Sequence, residues 1–132
     1  MKKFKKVLLL TDKKKSSINQ VNATKRYLSK SMNSQVKFQE FVVKNFNIPN
    51  ILILFLIRVN LIRLKKSLII FKPELIISCG RVAAPFSVSI KKEVKCKNIH
   101  ILKPYISHNY FDLILIPNHD NFPNGKNIIK FN

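Results

Sequence analysis

Only two glycines, Gly80 and Gly125, occur in the 132 residues. The chain therefore carries neither the G-x-G-x-x-G turn of dinucleotide-binding sheets nor a P-loop. Acidic residues number six, and no paired-carboxylate arrangement or G-x-S-x-G elbow is present. No histidines or cysteines fall at metal-ligand spacing, so no metal site is expected. A secretory signal is also missing: basic Met1-Lys2-Lys3-Phe4-Lys5-Lys6 is followed by only Val7-Leu8-Leu9-Leu10, with no small-residue cleavage site. With no export signal, the two cysteines, Cys79 and Cys96, read as reduced thiols, and the cytoplasm is the expected compartment.

What is abundant is positive charge. Twenty-five cations against six anions give +19. That balance favours anionic partners such as nucleic acid, lipid head groups or phosphorylated substrates. Lysine supplies 21 of the cations and arginine four, with Ile, Asn and Phe also frequent. An AT-rich genome would encode the same bias, and compositional drift is weighed ahead of a selected polyanion surface. Nucleic-acid binding has charge in its favour, but no recognisable motif and no arginine enrichment supports it.

The apolar period switches regularly along the chain. Val7–Leu10 is a short continuous run, as in a strand covered on both faces. Ser17, with Gln20 three residues on, reads as a capped helix start, the helix running to about Lys30. Val36–Val43 alternates as a second strand, and 45–50 is a loop containing Pro49. Ile51–Phe71 would be a 21-residue helix of about 31 Å, long enough to cross a bilayer. Arg58, Asn60, Arg63, Lys65 and Lys66 argue against crossing, because each central cation costs roughly 2.5–3.5 kcal/mol. Ile57, Leu61, Leu64, Leu68 and Phe71 form a narrow apolar stripe that either packs on a sheet or lies on a membrane surface.

After Pro73, Leu75–Cys79 reads as a buried strand, Gly80 as a tight turn, and Val82–Glu93 as a helix with Pro85 in its first turn. Ile99–Leu102 and Leu113–Ile116 are two further strands. Five strands separated mostly by helices imply a Rossmann-like, doubly wound, mostly parallel sheet in one domain spanning 1–132.

Ligands of such sheets bind beyond the carboxyl ends of the strands. Three segments open there. Gly80 permits close backbone approach and Arg81 can grip a phosphate or carboxylate with two hydrogen bonds; a plain tight turn with a solvated arginine is the equal alternative. Cys79 can be read as a helix-terminus nucleophile, but a cysteine ending an apolar strand is more often a small core residue. The lysines of Thr11–Gln20 can bind an anion or be a solvated charge run. His119 and Asp120 can form an acid/base or binding pair, although neighbours in a loop usually point apart.

Three blocks together are familiar. Pro73-Glu74-Leu75-Ile76-Ile77-Ser78-Cys79-Gly80-Arg81-Val82-Ala83-Ala84-Pro85 resembles the P-[DE]-L-[IV]-I-x-x-G-R-x-x-A-P segment of the bacterial mitochondrial-fission-type (ELM-like) family of glycosyltransferase-like proteins. Phe111–Asp120 is similar to that family's F-D-L-[IV]-x-x-P-x-H-D, and Asp12 with Asn19 and Gln20 matches the frame of its D-G-x-P-G-H-x-N-Q loop. Lys13, Lys15, Ser16 and Ser17 replace that loop's glycines, proline and histidine, and Lys103-Pro104-Tyr105 stands where relatives often show D-P-R.

The resemblance implies the N-terminal, acceptor-side half of a metal-free, two-domain Rossmann-type (GT-B) glycosyltransferase architecture. Asp12, Asn19, Gln20, Gly80, Arg81, Pro85, His119 and Asp120 would then bind substrate, with no residue assigned as catalytic. The domain alone would bind no cofactor. A nucleotide-sugar donor would belong to the complete protein, its donor domain absent here and supplied on a separate chain. A truncated or split product, inactive alone, is the expectation. The rival is a non-enzymatic basic module that faces anionic membranes through Arg58, Arg63, Lys65 and Lys66, peripheral on the inner face.

Overall fold

A computed structural model describes residues 4–31 and 36–132. The elements run β1 (Lys6–Thr11), α1 (Lys15–Ser31), β2 (Lys37–Val42), α2 (Asn50–Arg58), α3 (Lys66–Phe71), β3 (Leu75–Cys79), α4 (Ala83–Val94), β4 (Lys97–Ile101), β5 (Leu113–Pro117) and β6 (Ile128–Phe131). The strands form one six-stranded sheet of order β2-β1-β3-β4-β5-β6, every neighbouring pair parallel. The expected Rossmann-like, doubly wound α/β class is present. β6 is an addition to the five expected strands; its run, Ile128-Ile129-Lys130-Phe131, is short, and no helix precedes it.

Successive side chains of β1 point to opposite faces, and both faces are covered. Leu8 and Leu10 pack with Ile76, Ile53, Leu68, Phe86 and Ile90, beneath α2, α3 and α4. Val7 and Leu9 pack with Ile77, Cys79 and Val21, beneath α1. Such two-sided burial explains why β1 and β3 are unbroken apolar runs rather than alternating ones.

The continuous helix expected over 51–71 does not form. α2 ends at Arg58, and the backbone closes a Schellman motif: Leu61 N–H reaches the Leu56 carbonyl (2.9 Å), and Asn60 N–H the Ile57 carbonyl (3.1 Å). Asn60 takes the left-handed conformation this requires (φ 64°), which asparagine tolerates better than most residues. Chain direction changes there, so Leu61 leaves the predicted stripe and is 74% exposed. Ile57 and Leu68 remain buried, in accord with the sheet-packing alternative.

The start of α1 also differs. The helix begins at Lys15, and Ser17 is buried within its first turn rather than capping it.

Candidate active site at the strand switch point

β2 lies on one side of β1, and the remaining strands lie on the other. Helices leaving β1 and β3 therefore depart to opposite faces, and a crevice opens between those strand ends. Asp12 follows β1 directly and Gly80 follows β3 directly, so both sit at this switch point. Loops after β4 and β5 complete a cavity of about 320 Å³ lined by Asp12, Lys14, Ser16, Ser17, Gly80, Arg81, Leu102, Lys103, Tyr105 and Asp120.

Asp12 is only 6% exposed, and its carboxylate accepts the Lys14 backbone N–H at 3.0 Å. It lies flush against Gly80: a Cβ there would stand 2.3 Å from Asp12 Oδ2. Gly80 also has φ 104°. Glycine is thus demanded twice, by backbone conformation and by the carboxylate beside it. Leu102 (φ 78°) and Tyr105 (φ 56°) line the same cavity in left-handed conformations. Such backbone costs of order 1–3 kcal/mol each concentrate at binding sites.

Arg81 lines the cavity, but its guanidinium is engaged by protein. Nη1 donates to the Ile48 carbonyl (2.8 Å) and Asn50 Oδ1 (3.0 Å), and Nη2 donates to the Phe46 carbonyl. Asn50, 2% exposed, donates through Nδ2 to the carbonyls of Arg81 and Pro104, both at 2.7 Å. This clamp ties the β2–α2 loop, the β3–α4 turn and the β4–β5 loop together. A two-pronged grip on a bound anion would cost these bonds; the arginine's visible work is to shape the crevice wall. Asn50 was missed at the sequence level, because an Asn after Pro49 reads as an ordinary turn residue.

Cys79 is fully buried in the α1-side core. Burial chiefly pushes its thiol up to about 11, with the Asp12 charge adding and a Ser17 hydrogen bond opposing. A thiol so held is a core residue and not a nucleophile near neutral pH.

The other expected site residues divide. Asp120 lines the cavity, and its backbone N–H closes a turn on the Pro117 carbonyl at 3.0 Å. Exposed His119 places Nε2 3.5 Å from Asp120 Oδ1, so these adjacent residues do face one another. His119 itself is not in the lining, and neither are Asn19 and Gln20, exposed on α1, or Pro85, buried in the first turn of α4. Lys14, one of the loop lysines read as able to bind an anion, enters the lining, as do Lys103 and Tyr105, which had been noted at the D-P-R position without a binding role.

Of the four cations read as membrane-facing, all are exposed. Arg58 and Arg63 line a second, larger groove beside α2 and α4, whereas Lys65 stands over the Phe41 ring at 5.3 Å and Lys66 opens α3. No helix among the described residues is long and apolar enough to cross a membrane. Among the described residues, no group of three His, Cys, Asp or Glu side chains could hold a metal ion.

Comparison with known proteins returned no match among curated sequences and none among solved structures. A family model, described as mitochondrial fission ELM1, matches residues 11–132, which takes in β1's last residue, the whole crevice and every later strand. The crevice segments after β1, β3 and β5 are the ones that carried the resemblance, and the chain belongs to the mitochondrial fission ELM1 family.

Proposed function

We propose that this chain is the acceptor-side module of a glycosyltransferase-like protein. The observation that carries the reading is the crevice between β1 and β3, where Asp12 is held against Gly80. Its lining of carboxylates, hydroxyls and lysines suits a polyol acceptor, each hydroxyl of which both donates and accepts hydrogen bonds. Asp12 accepts from an acceptor hydroxyl, and Lys14 and Lys103 balance negative charge on the acceptor. No residue of the crevice is assigned as catalytic. The nucleotide-sugar donor belongs to a second domain of such an architecture, and electrostatic stabilisation of the leaving diphosphate comes from there.

Titration with glucose, N-acetylglucosamine and glucosamine 6-phosphate, followed by amide NMR, tests the reading. Shifts confined to Lys14, Ser17, Gly80 and Tyr105, and lost in Asp12→Asn, are expected. An unresponsive crevice would sink the acceptor role. Sugar transfer is expected to be undetectable with the chain alone, and robust turnover with any nucleotide-sugar would refute the division of labour.

A second reading follows from the other groove: the module works peripherally on the inner face of an anionic membrane. It is supported by the +19 charge and by Ile51, Phe55 and Leu61, which are 64%, 55% and 74% exposed beside Arg58 and Arg63. Flotation with phosphatidylglycerol vesicles but not with phosphatidylcholine vesicles is the expected behaviour; equal flotation with both would remove it.

A further inference from the structure

α2 and α4 lie side by side and run in the same direction. Both begin at the carboxyl edge of the sheet, α4 after β3 and α2 at Asn50, whose amide bonds the Arg81 and Pro104 carbonyls. Ile53 and Ile57 of α2 share one core cluster with Phe86 and Ile90 of α4. The neighbouring face of α2, at helical spacing, carries Ile51, Leu54, Phe55 and Arg58, and α4 presents Val88 and Lys92 to the same groove.

That groove measures about 850 Å³, within the roughly 300–1,000 Å³ of small-molecule sites. Its lining is apolar along the whole length, from Ile51, Leu54 and Phe55 to Ile62, Leu64 and Ile69, and cations interrupt it where Arg58 and Lys92 stand in the last helical turns and Arg63 follows the Schellman turn. One anion, Glu93, lies among these three cations. Apolar surface and net positive charge in one groove complement an anionic amphiphile. A second copy of this chain would bring the same three cations against them.

We infer that the α2–α4 groove seats one acyl chain of an anionic membrane lipid, its head group held by Arg58, Arg63 and Lys92. This rests on the membrane reading above and deepens it. The lipid chain replaces water over Ile51, Leu54 and Phe55, and each nearby cation adds about five-fold in affinity for the anionic head.

The test uses lysophosphatidylglycerol below its micelle concentration, with lysophosphatidylcholine as the zwitterionic comparison. Saturable one-to-one binding of the former is expected, at least ten-fold weaker for the latter. Arg58→Glu with Arg63→Glu should weaken it more than ten-fold, and Phe55→Ser, which changes no charge, several-fold. A charge-matched control on exposed sites elsewhere, Lys30→Glu with Lys126→Glu, should stay within about two-fold. Absent saturable binding, an equal loss in the control pair, or an unaffected Phe55→Ser would each overturn the groove. So would a concentration-dependent dimer abolished by Phe55→Ser, which would give the face to a second copy. If phosphatidylglycerol vesicles still bind while the single-chain probe does not, the groove falls and the membrane reading stands. If the probe saturates the groove while anionic and neutral vesicles bind alike, the reverse holds.

Discussion

The crevice and the groove are both concave, yet they are built by opposite means. The crevice is small, with backbone at its centre: Gly80 at φ 104°, left-handed Leu102 and Tyr105, and Asp12 pressed against the glycine. Its wall is locked by the Asn50–Arg81 clamp. The groove is larger; Ile57 and Val88 in its floor belong to the core, whereas Ile51, Phe55, Arg58, Arg63 and Lys92 on its rim are exposed and cost the fold little. Residues of the first region should trade against stability when changed, and the exposed rim residues of the second should not.

Acid offers the largest way to break that contrast. His100 is wholly buried under α4, with Nδ1 2.7 Å from Ser78 Oγ on the strand that leads to Gly80. Burial lowers its pKa from 6.5 to about 3. A depressed folded-state value means that the stability from keeping it neutral is intact above about pH 6.5. That stability drains as pH falls toward 3, at up to about 1.4 kcal/mol per pH unit. Urea unfolding between pH 7 and 4 should show this slope, and His100→Leu should flatten it. An unchanged slope in the variant would move the acid sensitivity elsewhere.

Next comes Gly80→Ala, expected to cost at least about 1–3 kcal/mol from backbone strain, with the contact on Asp12 added. Combining it with Asp12→Ala should recover the contact part alone, and a denaturant double-mutant cycle separates the two. Asn50→Ala should cost about 1–3 kcal/mol, because it leaves the Arg81 and Pro104 carbonyls and one guanidinium N–H unpaired in a half-buried wall. The smallest effect belongs to the groove: Phe55→Ser should shift unfolding by no more than about 0.5 kcal/mol. A loss comparable to that of Asn50→Ala would erase the distinction between a structural crevice and an unburdened groove.

Much of the crevice was legible in advance. The apolar run Leu75–Cys79 marked a strand, and a lone glycine followed by Arg81 marked the turn after it. Asp12 and Asp120 were placed correctly because strand ends in a parallel sheet share one edge. Arg81 was legible in position but not in partners: nothing along the chain pairs it with Phe46, Ile48 and Asn50, more than thirty residues away. The groove was not legible, since an apolar stripe at helical spacing, Ile57, Leu61, Leu64, Leu68 and Phe71, hid the reversal at Asn60.

By itself the amino-acid order determined the parallel α/β class, the glycine pivot at 80 and the family, because each depends on local period or on residues close in sequence. Tertiary structure alone decided which donors of Arg81 are spent, that Asp12 touches Gly80, that β6 joins the sheet edge, and that α2 and α4 leave an apolar trough. Those outcomes depend on contacts between distant segments, whose geometry is set only when the sheet registers and the helices dock on it.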